Sequence, residues 1–147
     1  MFKYTVKYND WNGVEKERDL YFNLTKTELT TLELSFPGGM YGILNNIVRA
    51  KDNVEIVKML DLIIEKSFGI KSPDGESFAK GPEIYRAFKE NAAYDVFFEW
   101  LTEDGGKNSI TFVNSVIPQG VLEEAEKMEQ EKINSQITPS GVTTPIN

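Results

Sequence analysis

The sequence predicts an α+β domain, an N-terminal β-hairpin packed on a mostly α-helical body with a flexible C-terminal tail. Three observations lead there. Phe2-Lys3-Tyr4-Thr5-Val6-Lys7-Tyr8 alternates large and polar side chains, the period of a half-buried strand. From Thr25 onward the apolar residues recur at helical spacing between capping and breaking signals. Beyond Pro118 the chain turns charged and then poor in large apolar residues, with little to bury. With 147 residues, 40% hydrophobic and 12% aromatic, one domain can close a real core.

The elements follow in order. Asn9-Asp10-Trp11-Asn12-Gly13 is turn chemistry, with Asn-Gly able to take the positive φ of a tight hairpin. Residues 15–23 form the return strand, so the hairpin covers 2–23. A hairpin alone is marginal in water and must lie on helices. Thr25 and Glu28 make a Thr-x-x-Glu capping box, flanked by a Leu24–Leu29 hydrophobic staple. They predict a helix over 26–34, stopped by Pro37-Gly38-Gly39.

Helical spacing resumes over 40–50 through Ile43, Leu44, Ile47 and Val48. Asp52 and Glu55 form a second capping pair, opening the strongest helix of the chain. Its apolar set of Val54, Ile56, Val57, Met59, Leu60, Ile63, Ile64 and Phe68 covers more than one face, which predicts a central position. Gly69 is placed to end it. Residues 71–80 read as a polar loop around Ser72-Pro73-Asp74-Gly75. Pro82 at the first helical position starts another helix with Ile84, Tyr85 and Phe88. A further helix spans 92–101 and breaks at Asp104-Gly105-Gly106, and a last one spans 108–117. The expected organisation is one α+β domain over 1–120 with helices across 26–117, a charged helix over 121–133 and a flexible tail over 134–147.

Composition narrows the function. The net charge is −7 and no Lys/Arg cluster stands apart from it, which argues against a nucleic-acid partner. With no Cys and no His, disulfides, thiolate nucleophiles, Cys/His zinc sites and imidazole catalysis are all excluded. No stretch approaches the roughly 20 apolar residues of a transmembrane helix, and the first eight residues lack a signal-peptide run. The expected location is the cytoplasm.

Carboxylates are then the remaining candidates for acid/base work. Glu15, Glu17 and Asp19 alternate along a strand and read as its solvent face. Glu123, Glu124, Glu126, Glu129 and Glu131 read as a solvated helix surface. Pro37-Gly38-Gly39-Met40-Tyr41-Gly42 lacks the Gly-Lys-Ser/Thr ending of a phosphate loop and is expected to be a hinge. No enzyme activity, metal or cofactor is expected.

The aromatics point instead to a partner. Trp11 lies at the hairpin tip, and Phe97, Phe98 and Trp100 crowd one helix. Neighbouring residues on a helix project about 100° apart, so Phe97 and Phe98 cannot both face the core; one can be buried and the other left for a partner. Leu122, Ala125 and Met128 form a stripe too thin to fold alone. It is expected to dock on a helix of a client or of another copy. Trp11, Phe97, Phe98, Trp100, Leu122, Ala125 and Met128 are the candidate partner-binding residues, and core packing is the competing reading of the aromatic cluster.

Several phrases also resemble a known family. Tyr21-Phe22-Asn23-Leu24-Thr25-Lys26-Thr27-Glu28-Leu29, after a strand with an aromatic-Asn-Gly turn, is similar to the N-terminal signature of tail assembly chaperones from long-tailed (siphovirus-like) phages of Gram-positive hosts. Lys66-Ser67-Phe68-Gly69, Ser72-Pro73-Asp74-Gly75 with Phe78, and Phe112-Val113-Asn114-Ser115-Val116-Ile117-Pro118 agree with it, over about residues 8–121. The resemblance implies a non-enzymatic protein of the host cell cytoplasm. It would bind the phage tape-measure protein, help recruit tail-tube subunits and leave the finished particle. The alternative is a structural tail or neck component retained in the virion.

Overall fold

The structure, a computed structural model, describes residues 1–35, 38, 39, 42, 53–117, 123, 127, 130, 131 and 133–135. Strands β1 (Phe2–Asn9) and β2 (Glu15–Phe22) pair antiparallel in one-to-one register from Phe2 opposite Phe22 to Asn9 opposite Glu15. The turn between them is organised by Asp10. Its carboxylate accepts from the amides of Asn12 and Val14, both at 2.9 Å, and pairs with Lys16 at 2.7 Å. The Lys16 hydrogen bond, reinforced by the two amides, holds this carboxyl below the usual aspartate range. Gly13 takes a φ of 79°, the positive value that the Asn-Gly pair predicts.

The alternation sorts the hairpin as expected. Val6, Leu20 and Phe22 are buried with Phe2, Tyr4 and Tyr8 packed beside them, while Lys3, Thr5, Lys7, Glu15, Glu17 and Asp19 face solvent. Asp19 accepts from the Thr5 hydroxyl at 2.7 Å and pairs with Lys3 at 3.3 Å, as Glu17 does with Lys7 at 3.9 Å. The acidic row is a solvated face.

Helix α1 (Lys26–Ser35) opens on the predicted capping box. The Glu28 amide donates to the Thr25 hydroxyl at 3.2 Å, and the Thr25 amide donates to the Glu28 carboxylate at 2.9 Å. Leu24 and Leu29 are both buried. Helix α2 (Asn53–Ser67) is central, with Leu60, Ile63 and Ile64 in the core. Of the predicted 40–50 helix only Gly42, with helical backbone, is described, and Asp52 and the side chains of Val54, Glu55 and Ile56 lie outside the described residues.

Here the sequence reading needs two corrections. Helix α2 stops at Ser67, not at Gly69, and Phe68–Lys71 is strand β3. Phe78–Ala79, expected in a polar loop, is strand β4. Both add to the hairpin, giving a four-stranded sheet in the order β1-β2-β3-β4 with Phe68 opposite Phe22 and Gly69 opposite Tyr21. The strand places Phe68 in the core, where it stacks on Phe88 at 4.0 Å and tilts against Phe22 at 5.6 Å. Gly69 is required by a close approach, since a Cβ there would lie 2.6 Å from the Phe78 ring.

The remaining helices are α3 (Pro82–Lys89), α4 (Ala92–Thr102) and α5 (Lys107–Val116), the last two joined by a 3-10 turn at Asp104–Gly106. Pro82 stands at the start of α3 as predicted, and the Asn91 side chain caps α4 by accepting from the Ala93 amide at 2.9 Å. Phe22 is the hub of the core. Its ring stacks on Phe97 at 4.8 Å and meets Phe112 edge-on at 5.1 Å. The two buried polar side chains among the described residues are satisfied, Ser67 by the Ile63 carbonyl and Ser109 by the Leu101 carbonyl, each at 2.6 Å. Glu123, Lys127, Gln130, Glu131 and residues 133–135 carry helical backbone. Of the tail expected over 134–147, residues 136–147 lie outside the described residues.

Candidate partner-binding groove

Helices α2 and α4 do not close on each other along their whole length. Between them runs a groove of about 600 Å³, lined by Val57, Lys58 and Asp61 of α2, Tyr94, Asp95, Phe98, Glu99 and Thr102 of α4, and Lys89 at the end of α3. Val57 is 42% exposed, which for a valine on the central helix leaves an apolar wall facing water.

The base of the groove is polar and fully engaged. Asp61 accepts hydrogen bonds from the hydroxyls of Tyr85 and Tyr94, the latter at 3.2 Å, and pairs with Lys89 at 3.4 Å. Burial first, then the neighbouring carboxylate, pushes the Tyr85 phenol far above its ordinary value. Burial likewise raises the Tyr94 phenol to about 12. Both therefore remain protonated donors at neutral pH. The Lys89 ammonium also sits 5.3 Å from the Tyr85 ring centre and 5.9 Å from that of Tyr94.

The sequence-predicted site residues divide. Phe98 is half-buried, lines the groove and stacks on Tyr94 at 5.9 Å. Phe97 is completely buried among Phe22, Tyr4 and Phe112, the packing of a core residue. The 100° step between neighbours separates the two as expected. Trp100 points a third way, half-buried over the sheet, 4.5 Å from the Tyr4 ring and 6.3 Å from Phe2. Leu122, Ala125 and Met128 lie outside the described residues.

Trp11 is 74% exposed, yet it is not loose. Its indole N–H donates to the Glu90 carbonyl at 2.9 Å, latching the hairpin tip to the turn between α3 and α4. Lys89, Tyr94 and Asp95 on either side of that turn line the groove. The hairpin tip and the groove thus share one turn, and a large apolar ring is fixed in place while facing water, the form that interface anchors take.

Sequence reasoning missed the Asp61–Tyr85–Tyr94–Lys89 network. The signal was present: an Asp in the middle of the central helix, and tyrosines where phenylalanine would have served a purely apolar core.

The family model for phage tail assembly chaperones matches residues 1–144. The chain belongs to that family. No curated protein and no solved structure matches it. Membership assigns the chain to assembly of the phage tail, which implies tail proteins as its partners. Chaperones of this family are generally non-enzymatic. Among the described residues no helix is long and apolar enough to cross a membrane.

Proposed function

We propose that this tail assembly chaperone acts without chemistry in the host cell cytoplasm, binding the phage tape-measure protein and helping to recruit tail-tube subunits. The siphovirus-like phage and the Gram-positive host inferred from the sequence phrases belong to the same reading. The observation that carries it is the open groove between α2 and α4, in a chain whose family serves tail assembly. An amphipathic helix fits such a groove. Its apolar face would meet Val57 and Phe98, and its polar flank would meet the charged rim of Lys58, Asp95 and Glu99. Trp11 and Trp100 would extend the contact at the hairpin tip and over the sheet. Leu122, Ala125 and Met128 would add a further apolar stripe against the client or another copy. The acidic surface would keep the complex soluble.

Co-expression with the tape-measure protein tests this reading. The wild-type chain should raise the client's soluble fraction, and Phe98→Asp should reduce the gain. An equally insoluble client with and without the chain would refute it.

A further inference from the structure

Among the described residues strand β1 ends the sheet and is paired along one side only. The turn fixes which of its backbone groups face outward. The Asp10 amide donates to the Val14 carbonyl at 2.9 Å, and counting back in steps of two, Tyr8, Val6, Tyr4 and Phe2 exchange bonds with β2. The far side of β2 has the complementary parity, with the Asn23 amide donating to the Ser67 carbonyl at 2.8 Å in line with Tyr21 opposite Gly69. The N–H and C=O groups of Lys3, Thr5 and Lys7 therefore point out of the open edge, without hydrogen-bond partners among the described residues.

Edges of this kind are ordinarily blunted by bulges, prolines or charges that overhang them. The register of β1 is unbroken over its 8 residues and contains no proline. Lys3 and Lys7 lie 3.3 Å from Asp19 and 3.9 Å from Glu17 on β2, and both lysine side chains stay more than half exposed, open to a further carboxylate. On the inner face, half-buried Phe2, Tyr4 and Trp100 form an aromatic ledge along the strand.

We propose that this edge is a strand-addition site for an extended acidic segment of another protein. Residues 2–9 contain two lysines and no carboxylate, in a chain of net charge −7. An added strand with Asp or Glu opposite Lys3 and Lys7 would complete an acid–lysine–acid ladder across three strands. Its alternate apolar residues would cover the aromatic ledge. A second copy fits poorly. Helix α4 packs over β1, and a twofold strand pairing would bring two such helices toward the inter-strand spacing of about 4.8 Å, whereas packed helices need about 8–10 Å. The site lies outside the α2–α4 groove and does not depend on it, although it shares Trp100 with the proposed client contact.

The probe is a fluorescein-labelled peptide alternating Glu or Thr with Val or Tyr, titrated into the full chain by anisotropy, with amide hydrogen exchange as the second readout. Saturable binding is expected, with slowed exchange at Lys3, Thr5 and Lys7. A peptide carrying Lys in place of Glu should bind about tenfold more weakly. Thr5→Pro removes one outward donor while leaving the β2 ladder bonded, and should weaken binding about tenfold. Thr5→Val keeps the donor and should bind as wild type, and Lys7→Pro replaces Thr5→Pro should the latter lose its native spectrum. Absent binding, slowed exchange elsewhere, or proline variants that bind like wild type would overturn the proposal. So would concentration-dependent protection of the same amides without peptide, which would assign the edge to a second copy.

Discussion

The Lys80 ammonium lies 2.7 and 2.8 Å from the two carboxylate oxygens of Glu28. It also donates to the backbone carbonyls of Asn23 and Lys66, the latter at 3.0 Å. One lysine thus ties the end of β2, the first turn of α1 and the last turn of α2 to the residue after β4. A local cap becomes a tertiary clasp. Replacing Lys80 by Met should cost about 2–3 kcal/mol, because it leaves a half-buried carboxylate and two carbonyls without their charged partner. Thr25→Ala removes the hydroxyl half of the box and should cost about 0.5–2 kcal/mol. Urea denaturation measures both.

The same clasp sets a pH dependence. Burial of the Glu28 carboxyl opposes its ionisation, but the hydrogen bonds from Lys80 and Thr25 outweigh that and hold it below its ordinary 4.5. The folded state therefore binds this proton less readily than the unfolded one. The stabilisation is complete above the ordinary value and is lost as pH falls through the folded one. Stability should be level near neutrality with respect to this group and decline on the acid side of 4.5. Glu28→Gln should flatten that decline, as read by denaturation at a series of pH values.

Core and groove positions on α2 should respond differently. Leu60 has no exposed surface, and Leu60→Ala should destabilise by about 2–5 kcal/mol. Val57, three residues earlier, is 42% exposed, and Val57→Ala should destabilise less, by about 1 kcal/mol or under. Gly69→Ala forces a methyl against the Phe78 ring and should cost about 1–3 kcal/mol. Thermal melts of the three variants would check the order.

Trp11 separates binding from folding. Trp11→Phe removes the indole bond to Glu90 and should cost about 1 kcal/mol of stability or less. Trp11→Ala should weaken client binding by at least about 2 kcal/mol, while the far-UV spectrum stays native. Equal affinity for the wild type and the alanine variant would remove Trp11 from the interface.

Much of the fold is legible in the residues because its determinants are local. The alternation of residues 2–8, the Thr25–Glu28 box, Pro82 before α3 and the Asp104-Gly105-Gly106 break each specify their own segment. Strands β3 and β4 are not legible that way. Their ladders engage two residues each and exist because Phe68 and Gly69 meet β2, nearly fifty positions away in sequence. The groove is hidden for the same reason. Asp61 and Tyr94 are 33 residues apart and meet only once α2 and α4 are packed. That Phe97 and Phe98 diverge follows from helix geometry, but which of them faces the core depends on where Phe22 lies.

The most direct test is the affinity of a purified tape-measure fragment for the wild-type chain and for Val57→Glu, by isothermal titration calorimetry. Val57 is exposed on the groove wall, so a buried charge is created only when a partner covers it. The wild type should bind the fragment. Val57→Glu should keep a native far-UV spectrum and bind more than about tenfold more weakly. No measurable binding by the wild type, or equal binding by the variant, would contradict the groove as the client site.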